Sequence, residues 1–382
     1  MKTAQIVSVC IGILFIPSLA FGQANQTQSQ MNENRLKESG ETKFLLSGYG
    51  FTGFEKKGDE STFGPLGFSP IFLWKKTDRL FFEAELEAEI EDGEFDIGLE
   101  YASIYYRLND FLIVGAGKFL TPFGIFSERL HPAWINKMAE KPLGFSSETG
   151  MVGPMTSLGA QARGGAPLGN TKINYSFYIA NGPGLLTDGD EAGKLDFNNL
   201  GDNNLNKALG GRIGFLPFSN SSLEIGASGQ FAKVGDRESP YKKIGAAMYA
   251  GDLSYIWHAK SIKSVLDLKG QYNYLHVERT DYSDLRGNSY SFDNNSSAYF
   301  LQVSLRPVNV DSDILKNVEL TGRYSRLKTP EGSEWHRKQK QTTLGINYWL
   351  SWSSVVKVNY AIEDIEGSDS ENGFFIQFAL GF

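Results

Sequence analysis

The chain has a single cysteine, Cys10, and it lies within an apolar N-terminal run. A disulfide framework is therefore excluded. Histidine is nearly as scarce, with only His131, His258, His276 and His336. None sits in an HExxH motif, and no GxSxG elbow occurs, so an enzymatic reading finds no motif to rest on. His131 near Glu128 matches any polar loop as well as part of a catalytic site. No long basic run exists and the net charge is −7, which argues against a nucleic-acid partner. After the N-terminal run, no segment has 18 consecutive apolar residues, so no transmembrane helix is expected. A mean hydropathy of −0.28 is also too polar for a helical membrane protein.

What the chain does have is aromatic residues (13%), 42 glycines and a particular alternation. In "FFEAELEAEI", residues 81–90, propensity alone favours a helix. The order of residues contradicts it. Glu83, Glu85, Glu87, Glu89 and Glu91 occupy every second position, with Phe82, Ala84, Leu86, Ala88 and Ile90 between them. A step of two residues turns about 200° on a helix and would scatter the carboxylates. On a strand they share one face. Similar alternation recurs in 262–277, where Leu266, Leu268, Tyr272 and Tyr274 oppose Asp267, Lys269, Gln271 and Asn273. In 340–350, Leu344, Ile346, Tyr348 and Leu350 oppose Thr343, Gly345 and Asn347.

Lys2, a short apolar run and small residues near position 22 read as a signal peptide over 1–22. Losing it removes Lys2 and Cys10 and leaves a net charge of about −8. Cys10 is too early for the usual lipidation site. Residues 23–42 are polar and aperiodic, and read as a flexible periplasmic extension. From 43 to 382, sixteen segments alternate: 43–54, 66–76, 79–90, 95–107, 110–119, 155–163, 171–181, 207–216, 221–232, 244–257, 262–277, 296–306, 317–328, 340–350, 354–364 and 373–382. Their lengths suit tilted strands crossing a bilayer. Short connections alternate with long ones at 55–65, 120–154, 182–206, 233–243, 278–295 and 329–339, as expected of periplasmic turns and outside loops. "EDGE" at 91–94 and the turn at 307–316 blur that rule.

The fold class expected is all-β: a closed antiparallel transmembrane β-barrel of sixteen strands, set in the outer-membrane bilayer. Closure satisfies every backbone edge in lipid. Sixteen strands leave an aqueous lumen, and the Glu face must meet that water, since carboxylates facing lipid are prohibitive. The terminal segment "FFIQFALGF" places Phe374, Ile376, Phe378, Leu380 and Phe382 on one face. It resembles the C-terminal signal read by the barrel-assembly machinery, with Phe382 as its last residue.

Alternation assigns an acidic lining to Glu83, Glu85, Glu87, Glu89, Glu91, Asp96 and Glu100. It assigns a basic lining to Lys118, Arg163, Arg212, Lys269, Arg306, Arg323 and Lys357. Acidic strands facing basic ones would set a field across the water column. The connection 120–154 is too long for a hairpin turn and is expected to be functional or folded. Pro132 is placed to start a short helix in it. As the third outside loop it is expected to fold toward the lumen, with Glu128, Arg129, His131, Lys137, Glu140, Lys141 and Glu148 as constriction residues. The alternative role is an extracellular or subunit contact.

The strand running into "GKFLTPFG" at 117–124, followed by a long third loop and preceded by a Glu-rich strand, resembles the phosphate-selective porin O and P family. The resemblance is best over about 80–165. It implies an outer-membrane channel, usually a homotrimer, passing small hydrophilic solutes. It also implies that Arg129, Lys137 and Lys141 take the place of the family's basic constriction residues. The acidic neighbouring wall departs from that pattern. The function expected is passive diffusion without enzyme activity, cofactor or metal; the alternative is a plugged barrel serving as a surface binding or structural protein. A plug-type active transporter is disfavoured, since no plug-sized segment precedes residue 43. "DGDEAG" at 188–193 and "DFNNLGDNN" at 196–204 lack the full spacing of a calcium loop and read as solvated.

Overall fold

The structure is a computed structural model that describes residues 43–382 except 92, 148–149, 199, 285–286, 309 and 369. The expected signal peptide, the 23–42 extension and Glu148 lie outside the described residues. Sixteen strands pair in sequence order and close into one barrel. They are β1 Lys43–Lys57, β2 Glu60–Lys75, β3 Leu80–Glu91, β4 Glu94–Arg107, β5 Ile113–Leu120, β6 Thr156–Leu168, β7 Thr171–Ala180 and β8 Ala208–Leu216. The second half comprises β9 Leu223–Lys233, β10 Gly245–Ala259, β11 Ser264–Val277, β12 Asn294–Pro307, β13 Val318–Lys328, β14 Lys338–Trp349, β15 Ser354–Ile365 and β16 Glu371–Gly381. All pairings are antiparallel. Each of the sixteen expected segments corresponds to one strand.

The pairing of β1 with β16 makes the seam, from Tyr49 opposite Gly381 to Lys57 opposite Gly373. Phe382 locks it. Its carbonyl accepts from Gly48 N–H at 3.1 Å and Ser47 Oγ at 2.7 Å, and its N–H donates to the Gly48 carbonyl at 2.9 Å. Its ring stacks on Phe68 at 5.9 Å. The two faces have opposite characters. On β14, the outward Leu344 is 60% exposed and Ile346 54%, whereas the inward Thr343 is 1% and Asn347 0%. An apolar outer belt and a polar inner face are what a lipid-embedded barrel requires.

One expected loop is absent. Residues 55–65 are expected to form a long outside connection, but β1 and β2 run on and turn at 58–59, where Gly58 has φ 54°. Gly64 and Pro65 hide the strand. They sit where pairing jumps from Thr52–Leu66 to Phe54–Phe63, so β2 carries an extra residue there. A proline at a bulge removes a donor the ladder does not need. The connections 121–155, 181–207 and 278–293 are long as expected. All three lie at the end of the barrel away from its termini.

Candidate functional site

The third connection, 121–155, lies inside the barrel. Its one short helix, α1 Phe126–Arg129, begins where Gly124 has φ +70°, and a Cβ there would lie 2.0 Å from Gln271. Only glycine lets the chain approach β11 so closely. Gln271 Oε1 accepts from Ile125 N–H at 2.7 Å and Phe126 N–H at 2.9 Å. These are donors the helix cannot satisfy itself. Asn273 donates to the Val152 carbonyl at 2.7 Å, and Gly124 N–H donates to Ser228 at 3.0 Å. Phe126 and Phe145 pack edge-on against Phe300 of β12, with ring centroids 6.0 and 5.1 Å away. Leu130, Leu143 and Val152 join the same buried cluster.

Beyond the helix the loop crosses to β13–β16. Lys137 pairs with Glu319 at 2.9 Å and lies over the Trp349 ring, 4.8 Å from its centroid. Asn347 donates to the Lys137 carbonyl at 3.0 Å, and Ala139 N–H donates to Asn359 at 2.8 Å. Lys357 is fully buried; its ammonium donates to the carbonyls of Ala133 and Met138 and to Gln377 Oε1. Arg323 donates to the Glu140 carbonyl at 2.9 Å. Glu140 itself pairs with Lys57 at 3.6 Å, and burial pushes its carboxyl upward.

The other basic wall residues are also engaged. Arg212 forks onto Asp252, at 2.9 and 2.6 Å, and reaches Glu224 at 2.8 Å. Glu224 in turn holds Arg129 of the loop at 2.7 Å. Arg163 pairs with Glu128 at 2.9 Å. Lys269 pairs with Asp267. Arg306 donates to the Lys316 carbonyl at 2.9 Å and stacks near Trp349. The residues expected to line the pore as a basic wall hold carboxylates or carbonyls, some of them from the loop. Such pairing compensates charges removed from water.

Lys118 is a correction. It pairs with Ala102 on one side and Leu158 on the other, both on the outward face, while Gly117 and Phe119 point inward. Its ammonium reaches the Leu99 carbonyl at 2.6 Å. The residues before it, Val-Gly-Ala-Gly, offer too little polarity contrast to fix parity.

Across the interior lies the acid ladder. Glu87 and Glu89 are level with Gly98 and Asp96 of β4, and Glu85 faces Tyr101. Glu100 is the extra residue at a bulge opposite Glu85/Leu86, so it turns inward beside Tyr101. Glu83, Glu87, Glu89 and Glu100 are half-buried. The edge of the loop facing them carries Glu128, His131 and Lys141. His131 lies within electrostatic reach of Glu87 and Lys141, and Glu100 within reach of Lys141. Burial holds the His131 imidazole neutral, down to about pH 4.

At mid-height, every strand contributes an inward side chain that is at least nine-tenths buried. Tyr49, Ser69, Glu85, Ser103 and Phe119 belong to this layer on β1–β5, as do Gln161, Tyr178, Arg212, Gln230 and Met248 on β6–β10. Half-buried ionisable groups at this level gather on the ladder side. The infolded loop and this layer fill much of the interior at mid-height. Sequence reading missed Glu224, Asp252 and Glu319. It also missed the apolar anchors Phe126, Phe145 and Phe300. Phe300 had a signal: an aromatic at an inward position of an otherwise polar face.

A closed sixteen-stranded antiparallel barrel with an infolded third connection has the fold of bacterial outer-membrane porins. Solved structures bear this out at low sequence identity. The anion-selective porin from Comamonas acidovorans is 14% identical, with TM-score 0.56, covering 90% of this chain and 100% of that one. OmpF of Salmonella typhi, in complex with daunomycin, is 11% identical, with TM-score 0.57, covering 90% and 98%. The outer membrane channel DcaP of Acinetobacter baumannii is 13% identical, with TM-score 0.54, covering 89% and 97%. No protein-family model matches the chain, and neither does any curated relative.

Proposed function

We propose that the protein is a passive outer-membrane diffusion channel for small hydrophilic solutes, narrowed by connection 121–155. The observation that carries this reading is the loop itself, bound inside a barrel with a polar inner face and leaving half-buried ionisable groups along one side. A pore works by diameter, lining charge and constriction, and the infolded loop and the ionisable groups beside it support that reading. The constriction residues proposed are Glu128, His131 and Lys141 on the loop and Glu83, Glu87, Glu89 and Glu100 on the wall. Arg129, Lys137 and Glu140 fasten the loop. The porin likeness supports the class. The finer kinship with phosphate-selective porins rests on the Thr-Pro-Phe-Gly turn and the long third loop alone.

A homotrimer is proposed as well. One similar structure, OmpT of Vibrio cholerae (13% identical, TM-score 0.52), is described as a trimer form. Lys118 supports it too: an outward lysine is costly against lipid and less so against a neighbouring subunit. A second reading, a barrel closed by its loop, is favoured by the buried layer at mid-height. Liposome swelling with small sugars separates the two. Swelling by the full-length protein supports the channel. Swelling only after residues 126–152 are deleted supports the closed barrel, and none in either case refutes a pore.

A further inference from the structure

We infer that the outer face of β13 and β14, at the rim away from the termini, binds a phosphate-bearing lipid of the outward-facing leaflet. This goes beyond the channel reading and needs only a barrel set in a membrane. Alternation on these strands puts Leu320, Tyr324, Leu344 and Ile346 outward, and all four are exposed. Toward the rim the same face turns basic. Arg326 stands directly opposite Lys340, and Lys328 directly opposite Lys338. Like charges facing each other across two strands destabilise the pair.

The two levels resolve that repulsion differently. At the rim, Glu331 of the connecting turn reaches Lys328 at 3.2 Å and Lys338 at 3.1 Å, so one carboxylate bridges both ammoniums. One step nearer the apolar belt no carboxylate does so. Lys340 meets Asp364 at 3.8 Å, and Arg326 has no ion-pair partner among the described residues. Tyr299 of β12 is the neighbour of Arg326 on its other side. Tyr272, Tyr299 and Tyr324 form a row across β11–β13, with ring centroids 6.5 and 6.0 Å apart. Tyrosines on the outside of a barrel mark the interface where lipid headgroups lie. Arg326 and Lys340 are the next outward residues beyond Tyr324 and Thr342, at the level of headgroup phosphates. A phosphate there does for this pair what Glu331 does for the upper one, and a guanidinium can fork onto two of its oxygens. The patch also faces lipid: β13 lies half-way round the barrel from β5, where Lys118 supports the proposed subunit contact.

Lipid binding to the full-length folded barrel in detergent tests this, with diphosphorylated lipid A as the probe and native mass spectrometry as the readout. Each Lys or Arg at an anionic lipid surface contributes about fivefold to binding. Arg326→Gln should therefore weaken lipid A binding about fivefold, and the double variant Arg326→Gln, Lys340→Gln about 25-fold. Lys56→Gln should change nothing, since Lys56 is an exposed lysine on β1 with Ser61 and Phe374 opposite it and no cation. Fully dephosphorylated lipid A should bind the wild-type barrel no better than it binds the double variant. Without lipid, Arg326→Gln should leave the heat-induced gel shift in place or move it to higher temperature, because it removes a repulsion. Equal lipid A binding by the wild type and the double variant overturns the inference, as does equal binding with and without the phosphates. Displacement of lipid A by millimolar inorganic phosphate also overturns it, since the site would then serve the free ion. Single-channel conductance should be the same in all these variants, so the channel reading stands or falls separately.

Discussion

The two halves of the barrel interior use ionisable residues in opposite ways. From β6 to β16 several inward charges have an opposite partner, Arg212 with Asp252 and Glu224, Glu319 with Lys137 of the loop, Lys269 with Asp267, while the buried Arg323 and Lys357 hold carbonyls. On β3 and β4 carboxylates line up beside one another instead. The docked half spends its charge on holding the loop. The ladder half sets carboxylates side by side on the inward face. The two regions should therefore fail differently when mutated.

The sharpest break in the comparison is Arg212→Ala. The Asp252 side chain is fully buried and Glu224 nearly so. Removing one partner of a buried pair costs about 3–5 kcal/mol. The barrel's heat-induced gel shift should move to clearly lower temperature. Lys357→Met comes next. It leaves the carbonyls of Ala133 and Met138 without their buried donor, at a cost of about 2–4 kcal/mol. That loss falls on the loop's seat more than on the strands. Single-channel conductance should rise or flicker while the barrel stays folded. Gly124→Ala should act similarly, because a Cβ would collide with Gln271 from a left-handed backbone.

Acidification probes the loop edge between the halves. His131 has a folded-state value of about 4, lowered first by burial, against roughly 6.5 when free. The released state then binds more protons between those values. Stability of the seated loop is fully present above about pH 6.5 and is lost as pH falls through about 4. Glu140 works in the opposite sense, since burial raises its value and protonation relieves it. Conductance should increase from pH 6.5 to 4, and His131→Gln should flatten that increase. A profile unchanged by the substitution would assign the pH response elsewhere.

Much of the scaffold was legible because the two-residue period is strong wherever polar and apolar residues truly alternate, as in β11 and β14. It failed where contrast vanished. Gly64–Pro65 concealed the start of β2, and Val-Gly-Ala-Gly concealed the outward turn of Lys118. The docked half was harder to read for a different reason. Its loop is held largely by main-chain groups of Ile125, Phe126, Ala133, Met138 and Ala139, and every residue has those. Glu224, Asp252 and Glu319 sat in expected strands, but alternation gives a face and not a partner. Partners come from register, and a lone sequence does not state register.

The smallest expected effect on stability belongs to the ladder half, and it sharpens the comparison most. Asp96 is exposed, level with Glu89, and its Oδ1 accepts from the neighbouring Ile97 N–H at 2.8 Å. Asparagine can keep that bond. Asp96→Asn should therefore change barrel stability by no more than about 0.5 kcal/mol, far less than Arg212→Ala. It nevertheless removes one negative charge from the ladder's rim. If charge there acts on permeation, potassium preference should fall measurably at 0.1 M salt and less so at 1 M, where the screening length is only about 3 Å. Equal stability with unchanged preference would mean that the rim is merely solvated.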